Sequence, residues 1–180
     1  MGKSILLFQG SPRKGGNTET LAAAFVKGAE EAGHTVKIVR AADKHIGGCI
    51  GCNTCFTNRG VCVQQDDMPE ILEDIKAADV YVYATPIYFF NVTAQLKALI
   101  DRQYALMPAG VPEGKQAVIL LTCGDTNAAV TEPSIMMFRQ WFDYVDIEEK
   151  GLIVTSNVNN VGDIEGKFEL AMAEALGKSI

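Results

Sequence analysis

Four of the five cysteines in this 180-residue chain fall close together, at Cys49, Cys52, Cys55 and Cys62. The spacing is Cys-x2-Cys-x2-Cys-x6-Cys. Two successive two-residue spacers can wrap three thiolates around one centre, and a fourth arriving after a short loop completes the ligand set of a [4Fe–4S] cluster. Gly47, Gly48, Gly51 and Gly60 let such a loop bend. A structural zinc also takes four thiolates, but zinc sites usually pair their cysteines across a longer spacer. A redox-active thiol pair, or a loop holding no metal, stays open beside the cluster. His45, just before the loop, reads as a solvated histidine.

A second constellation is Gly10-Ser11-Pro12-Arg13-Lys14-Gly15-Gly16-Asn17-Thr18. Glycines let a backbone turn tightly and aim several N–H groups at one point, Ser11, Asn17 and Thr18 add side-chain donors, and Arg13 adds charge. Placed before a helix, whose N-terminus carries the positive end of its dipole, this stretch is built for a phosphate. It is not a nucleoside-triphosphate loop, because Gly-x-x-x-x-Gly-Lys-Ser/Thr is missing, and its glycines lack the dinucleotide spacing. A third stretch, Thr85-Pro86-Ile87-Tyr88-Phe89-Phe90-Asn91, sets three successive aromatics after a proline, suited to clamping a flat ring. At least one of those rings is expected to pack in the core or in a subunit interface instead. Thr122-Cys123-Gly124-Asp125 offers further backbone donors, with Cys123 read as a small buried hydrophobe.

The elements that must position these residues alternate between strand and helix. Apolar runs at 3–9, 35–40, 79–84, 116–122 and 151–155 read as strands. Helical spacing appears over 18–32, from Asp67 (with Asp67 as cap and Glu70 reaching back), and over 94–104, 133–144 and 164–176. Residues 43–66 show no periodicity and read as a long functional loop carrying the cysteines. Five strands with helices between them imply an α/β fold, a three-layer α/β/α doubly wound five-stranded parallel sheet. In such sheets ligands sit beyond the carboxyl ends of the strands, where the loops at 10–18, 85–91 and 122–127 fall. Together these suggest a mononucleotide with a planar ring, flavin mononucleotide (FMN) fitting best.

Composition narrows the class. Hydrophobic residues make up 48% and charged residues 21%, an ordinary globular balance that argues against disorder. Sixteen basic against 22 acidic residues give a net charge of −6, unfavourable for nucleic acid or an anionic membrane. No apolar run is long enough to cross a bilayer. No signal peptide is read at the start, and Met1-Gly2 is not read as a myristoylation signal, which asks for Ser or Thr where Leu6 stands. The expectation is a cytoplasmic protein of one domain over 1–180, with the cysteine-rich stretch at 45–66 inserted after the second strand.

The Gly10–Thr18 stretch, Cys49-x-Gly51-Cys52-x-x-Cys55, Asp66-Asp67-Met68, and Pro86-Ile87-Tyr88 through Lys97 to Asp101-Arg102 occur in an order that resembles the flavodoxin-like NADPH-dependent FMN reductases, including their iron–sulfur flavoprotein branch. The resemblance spans nearly the whole chain. It implies a flavodoxin-like fold with FMN at the strand ends, its phosphate held by Ser11, Arg13, Asn17 and Thr18. Pro86, Ile87, Tyr88 and Asn91 would border the ribityl chain and ring, and Thr122, Cys123 and Gly124 would form the third flavin loop. It further implies NAD(P)H as co-substrate, a small-molecule acceptor such as a quinone or free flavin, and a homodimer or homotetramer. Tyr88 with Phe89 or Phe90 would position the nicotinamide or the acceptor. The alternative is an electron carrier with a [4Fe–4S] cluster on Cys49, Cys52, Cys55 and Cys62, exchanging electrons with ferredoxin. A non-catalytic flavin- or metal-binding module is the third possibility.

Overall fold

The structure, a computed structural model, describes residues 2–180, so the reading of Met1 lies outside the described residues. Five strands, β1 (Ser4–Gln9), β2 (Thr35–Arg40), β3 (Val80–Pro86), β4 (Gln116–Thr122) and β5 (Glu148–Thr155), form one sheet in the order β2-β1-β3-β4-β5. Every neighbouring pair is parallel. The helices are α1 (Asn17–Glu31), α2 (Thr54–Thr57), α3 (Met68–Ala77), α4 (Ala94–Arg102), α5 (Glu132–Val145) and α6 (Phe168–Lys178). This is the flavodoxin-like strand order, which reverses direction between β1 and β3 and opens a crevice there. The expected three-layer doubly wound sheet is therefore observed. No helix among the described residues is long and apolar enough to cross a membrane.

The central strands read as continuous apolar runs because both faces are covered. Leu6, Phe8, Tyr81, Tyr83, Ile119 and Leu121 point to the α3, α4 and α5 side, where Tyr83 stacks on Phe8 at 5.0 Å between ring centroids and meets Phe138 at 5.2 Å. Ile5, Leu7, Val80, Val82, Val118 and Leu120 point to the opposite side, against α1 and α6. Those two helices cross at glycines. A Cβ on Gly28 would lie 1.9 Å from the Glu174 carbonyl oxygen, and one on Gly177 would lie 2.2 Å from that of Phe25.

Several boundaries differ from the sequence reading. β5 starts at Glu148, because Glu148-Glu149-Lys150 on an edge strand hides from a search for apolar runs. α6 starts at Phe168, since residues 160–167 close successive turns, Asp163 N–H to Asn160 O and Glu165 N–H to Gly162 O. α4 stops at Arg102 and continues as a 3-10 segment, Gln103–Ala109. At the start of α3 the capping side chain is Asp66, not Asp67: Met68 N–H donates to Asp66 Oδ1 at 3.1 Å, while Asp67 Oδ2 accepts from His45 N–H at 2.6 Å. Both aspartates thus tie the two ends of the cysteine stretch together.

Candidate functional site

Four strand-end loops converge on a polar cavity of about 150 Å³. Gly10 leaves β1 with its N–H bonded to Ala84 O, and a Cβ there would press on the Thr85 side chain at 2.9 Å, so only glycine lets β1 and β3 deliver their loops side by side. Thr93, fully buried, donates to Gly10 O at 2.7 Å and accepts from Leu96 N–H at 3.3 Å, capping α4 and locking it to the first loop. The Thr18 and Thr122 hydroxyls meet at 2.7 Å, joining the first loop to the third. α1 begins behind the cavity with Gly16 as its cap residue and no side-chain capping bond, leaving its first turn open to an anion.

Of the residues singled out from the sequence, Ser11, Arg13, Asn17, Thr18, Pro86, Ile87, Tyr88, Cys123 and Gly124 all line this cavity, as does Thr122. Asn91 does not. It acts from behind, pairing its backbone with that of Tyr88 in both directions and accepting through Oδ1 from Val92 N–H at 2.8 Å and the Ser134 hydroxyl at 3.4 Å. Phe89 and Phe90 also stay outside the lining. They stand in solvent, Phe89 96% exposed, as an edge-to-face pair. Cys123 is buried, and burial together with the nearby Asp125 charge pushes its thiol up, in keeping with an inert packing role.

A fourth loop escaped the sequence reading. Val158, Asn159 and Val161, beyond the carboxyl end of β5, complete the wall. Arg13 Nη1 donates to Asn159 O at 3.1 Å and Asn17 Nδ2 to Asn160 O at 2.7 Å, while Asn159 Nδ2 donates to Gly124 O at 2.9 Å. Asp163 Oδ2 accepts from the N–H groups of both Asn159 and Asn160 and so rigidifies the turn. The available signal was the Asn-rich run Asn157-Val158-Asn159-Asn160 directly after a strand, a composition that favours turns.

The four clustered cysteines share a separate, smaller pocket of about 20 Å³ with Arg102, room for about one water. Cys49 and Cys52 are exposed, Cys62 is half-buried and Cys55 is buried. Among the described residues no three His, Cys, Asp or Glu side chains gather as a metal-ligand set. The loop thus brings the four thiols to the wall of one pocket. Thr54, through its hydroxyl and N–H, holds the Cys52 thiol below the ordinary range. Below the pocket Arg102 grips Asp66 with two bonds, 2.6 and 3.1 Å, and donates to Gly47 O at 2.9 Å. Burial pushes the Asp66 carboxyl up, but bonds from Arg102 and from the Gly47 and Met68 N–H groups outweigh it and hold it below the carboxylate range. The Nε of Arg102 is buried without a partner, and its guanidinium faces Cys62.

Comparison with known proteins agrees with this geometry. The chain is 43% identical over 101 residues to an iron-sulfur flavoprotein of Archaeoglobus fulgidus, covering 56% of this chain and 44% of that protein. It is 32% identical over 155 residues to an iron-sulfur flavoprotein of Methanosarcina thermophila, covering 86% and 78%. Among the first such relatives the matched share is as low as 44% of their length, so this chain spans about half of several of them. The solved NAD(P)H:quinone oxidoreductase of Methanothermobacter marburgensis superposes with a TM-score of 0.74 over 99% of this chain and 97% of that one, at 19% identity, a likeness of fold. The model of the NADPH-dependent FMN reductases matches residues 4–157, and with the strand order and loop geometry above, the chain belongs to that family.

Proposed function

We propose that this protein is an FMN-dependent NAD(P)H oxidoreductase that passes electrons from a nicotinamide cofactor through FMN to a quinone, a flavin or a similar small-molecule acceptor. The observation that carries the reading is the polar cavity at the uncapped start of α1, where Ser11, Arg13, Asn17 and Thr18 meet Pro86, Ile87, Tyr88, Cys123 and Gly124. The residues suit the group: an open helix N-terminus and hydroxyls for a phosphate, then a neutral wall leading to a half-exposed tyrosine for a ring. When bound, FMN supplies hydride acceptance and electron transfer.

The chain's own residues bind and orient. Ser11 and Thr18 present hydroxyls to the phosphate, Arg13 adds its charge while pinning the Asn159 turn, and Asn17 acts mainly by fixing Asn160. Ile87 is held by its N–H bond to Thr122 O, which fixes the wall beside the ribityl chain. Asn91 serves by holding Tyr88. No side chain acts as a nucleophile. The reading includes a cytoplasmic location, assembly as a homodimer or homotetramer, and no nucleic-acid or membrane partner.

The iron–sulfur alternative, an electron carrier exchanging electrons with ferredoxin, keeps one observation in its favour: four thiols line one pocket beside a buried cation with an unfilled N–H. Iron and acid-labile sulfide in protein purified without oxygen test it. For the main reading, the FMN-loaded protein is mixed anaerobically with NADH or NADPH. The oxidised flavin bands bleach and return on adding a quinone. Flavin bands unmoved by either nucleotide overturn the proposal.

A further inference from the structure

The helix α1 leaves part of the sheet beside it uncovered. β2 is an edge strand, and its register with β1 sets Ile38 beside Leu7 and Arg40 beside Gln9. Leu7 is buried on the α1 side, yet Ile38 next to it stays 51% exposed. The result is a groove of about 690 Å³, walled by Leu7 and Ile38 from the sheet and by Ala22, Ala23 and Val26 from α1. Pockets that take small organic molecules measure about 300–1,000 Å³.

Towards the carboxyl ends of the two strands the lining turns polar, with Gln9 and Arg40 side by side. Gln9 is 1% exposed, and neither its Oε1 nor its Nε2 has a hydrogen-bond partner. The Nη2 of Arg40 is buried and unpartnered as well. Buried polar groups are almost always bonded, so two neighbouring exceptions on one groove call for an explanation. An apolar side chain in place of Gln9 would spare the fold an unbonded carboxamide.

The charges select the chemistry of a guest. Arg40 Nη1 pairs with Glu19 Oε2 at 3.0 Å, and its Nε donates to Asp43 Oδ2 at 3.2 Å. Two carboxylates thus already neutralise the guanidinium, and Glu30 and Glu31 line the groove with Lys27. An anionic head group would add to an excess of carboxylates. A cationic one would face the N–H groups of Arg40 and Gln9. A neutral amide meets both demands, its carbonyl accepting from Arg40 Nη2 or Gln9 Nε2 and its N–H donating to Gln9 Oε1.

We infer that the groove between α1 and β2 is a second ligand site, which takes a neutral amphipathic amide. The aliphatic body lies along Leu7, Ile38 and Val26, and the carboxamide head meets Gln9 and Arg40. The groove shares no lining residue with the strand-end cavity, so the inference goes beyond the flavin reading and does not depend on it.

The test is a titration of the full-length, nitrogen-15-labelled chain with hexanamide, followed by two-dimensional amide spectra. Saturable shifts are expected at the Gln9 side-chain amide and at the Ile38 N–H. Gln9→Met removes both unbonded atoms at similar volume and is expected to weaken the probe by about tenfold or more. Ala23→Phe fills the groove from an exposed position on α1, leaves Gln9 in place, and is expected to cause a similar loss. Hexanoate and hexylamine, with the same body and charged heads, are expected to bind about tenfold more weakly or worse. No saturable shift with hexanamide, or shifts that survive both variants, overturns the site. Hexanoate or hexylamine binding as tightly as hexanamide overturns the neutral-amide assignment.

Discussion

Arg102 and Asp66 offer the sharpest test of how the cysteine stretch is held. Their side chains are 1% and 4% exposed, and the guanidinium makes two bonds to the carboxylate and one to Gly47 O. Arg102→Met keeps much of the volume but leaves Asp66 buried with only the Gly47 and Met68 N–H groups for compensation. Removing one partner of a buried pair costs about 3–5 kcal/mol, a fall in Tm of about 6–20 °C for a chain of this size. The double variant Arg102→Met/Asp66→Asn removes the uncompensated charge and is expected to recover part of that loss. The pH dependence separates this account from simple packing. In the wild type Asp66 has a folded pKa below its unfolded value, so its contribution is complete above about pH 4 and is lost as pH falls through the lower folded value. In Arg102→Met the unpaired carboxyl is raised, the folded state binds more protons, and stability increases as pH falls from 7 towards about 4. Urea unfolding followed through Trp141 at several pH values, referenced to the double variant, reads both slopes. An Arg102→Met protein within about 1 kcal/mol of wild type, or one whose slope keeps the wild-type sign, refutes the reasoning.

Other expectations follow from the same geometry. Gly28→Ala drives a methyl into the Glu174 carbonyl and is expected to lower stability by about 1–3 kcal/mol or more, measured by denaturant midpoint. Arg13→Ala is expected to weaken FMN binding about tenfold, about 1.4 kcal/mol, and to leave riboflavin binding nearly unchanged in a fluorescence titration; equal losses refute a phosphate-side role. Cys52 is expected to alkylate fastest of the five cysteines near neutral pH, since Thr54 stabilises its thiolate, and Thr54→Val is expected to slow it, with peptide mass mapping as the readout.

The sheet was legible because its strands are buried on both faces and therefore appear as uninterrupted apolar runs. β4 carries the same limits in the sequence and in the structure, Gln116–Thr122. β5 was cut short because its first residues, Glu148 to Lys150, are charged and lie on the sheet edge. The glycine- and hydroxyl-rich stretch at 10–18 revealed where the cavity lies, because tight turns and open helix starts need those residue types. What stayed hidden was the division of labour within it. Asn17 and Asn91 carry the side chains a ligand site would use, yet they bond to Asn160 and to Ser134, contacts that no local spacing announces. The loop at 156–161 joins the wall through long-range bonds to Arg13 and Gly124, which a pass along the chain does not reveal. The cysteine spacing marked the four thiols as one group, but not their unequal exposure, because Gly51, Asn53, Arg59 and Gly60 all turn the loop through positive φ.

The central claim is that the cavity at the start of α1 holds FMN by its phosphate. Titrating the flavin-free protein with FMN and with riboflavin, and following quenching of flavin fluorescence, tests it directly. One FMN per chain, bound far more tightly than riboflavin, is the predicted result. Equal affinity for the two, or no binding of either, would contradict it.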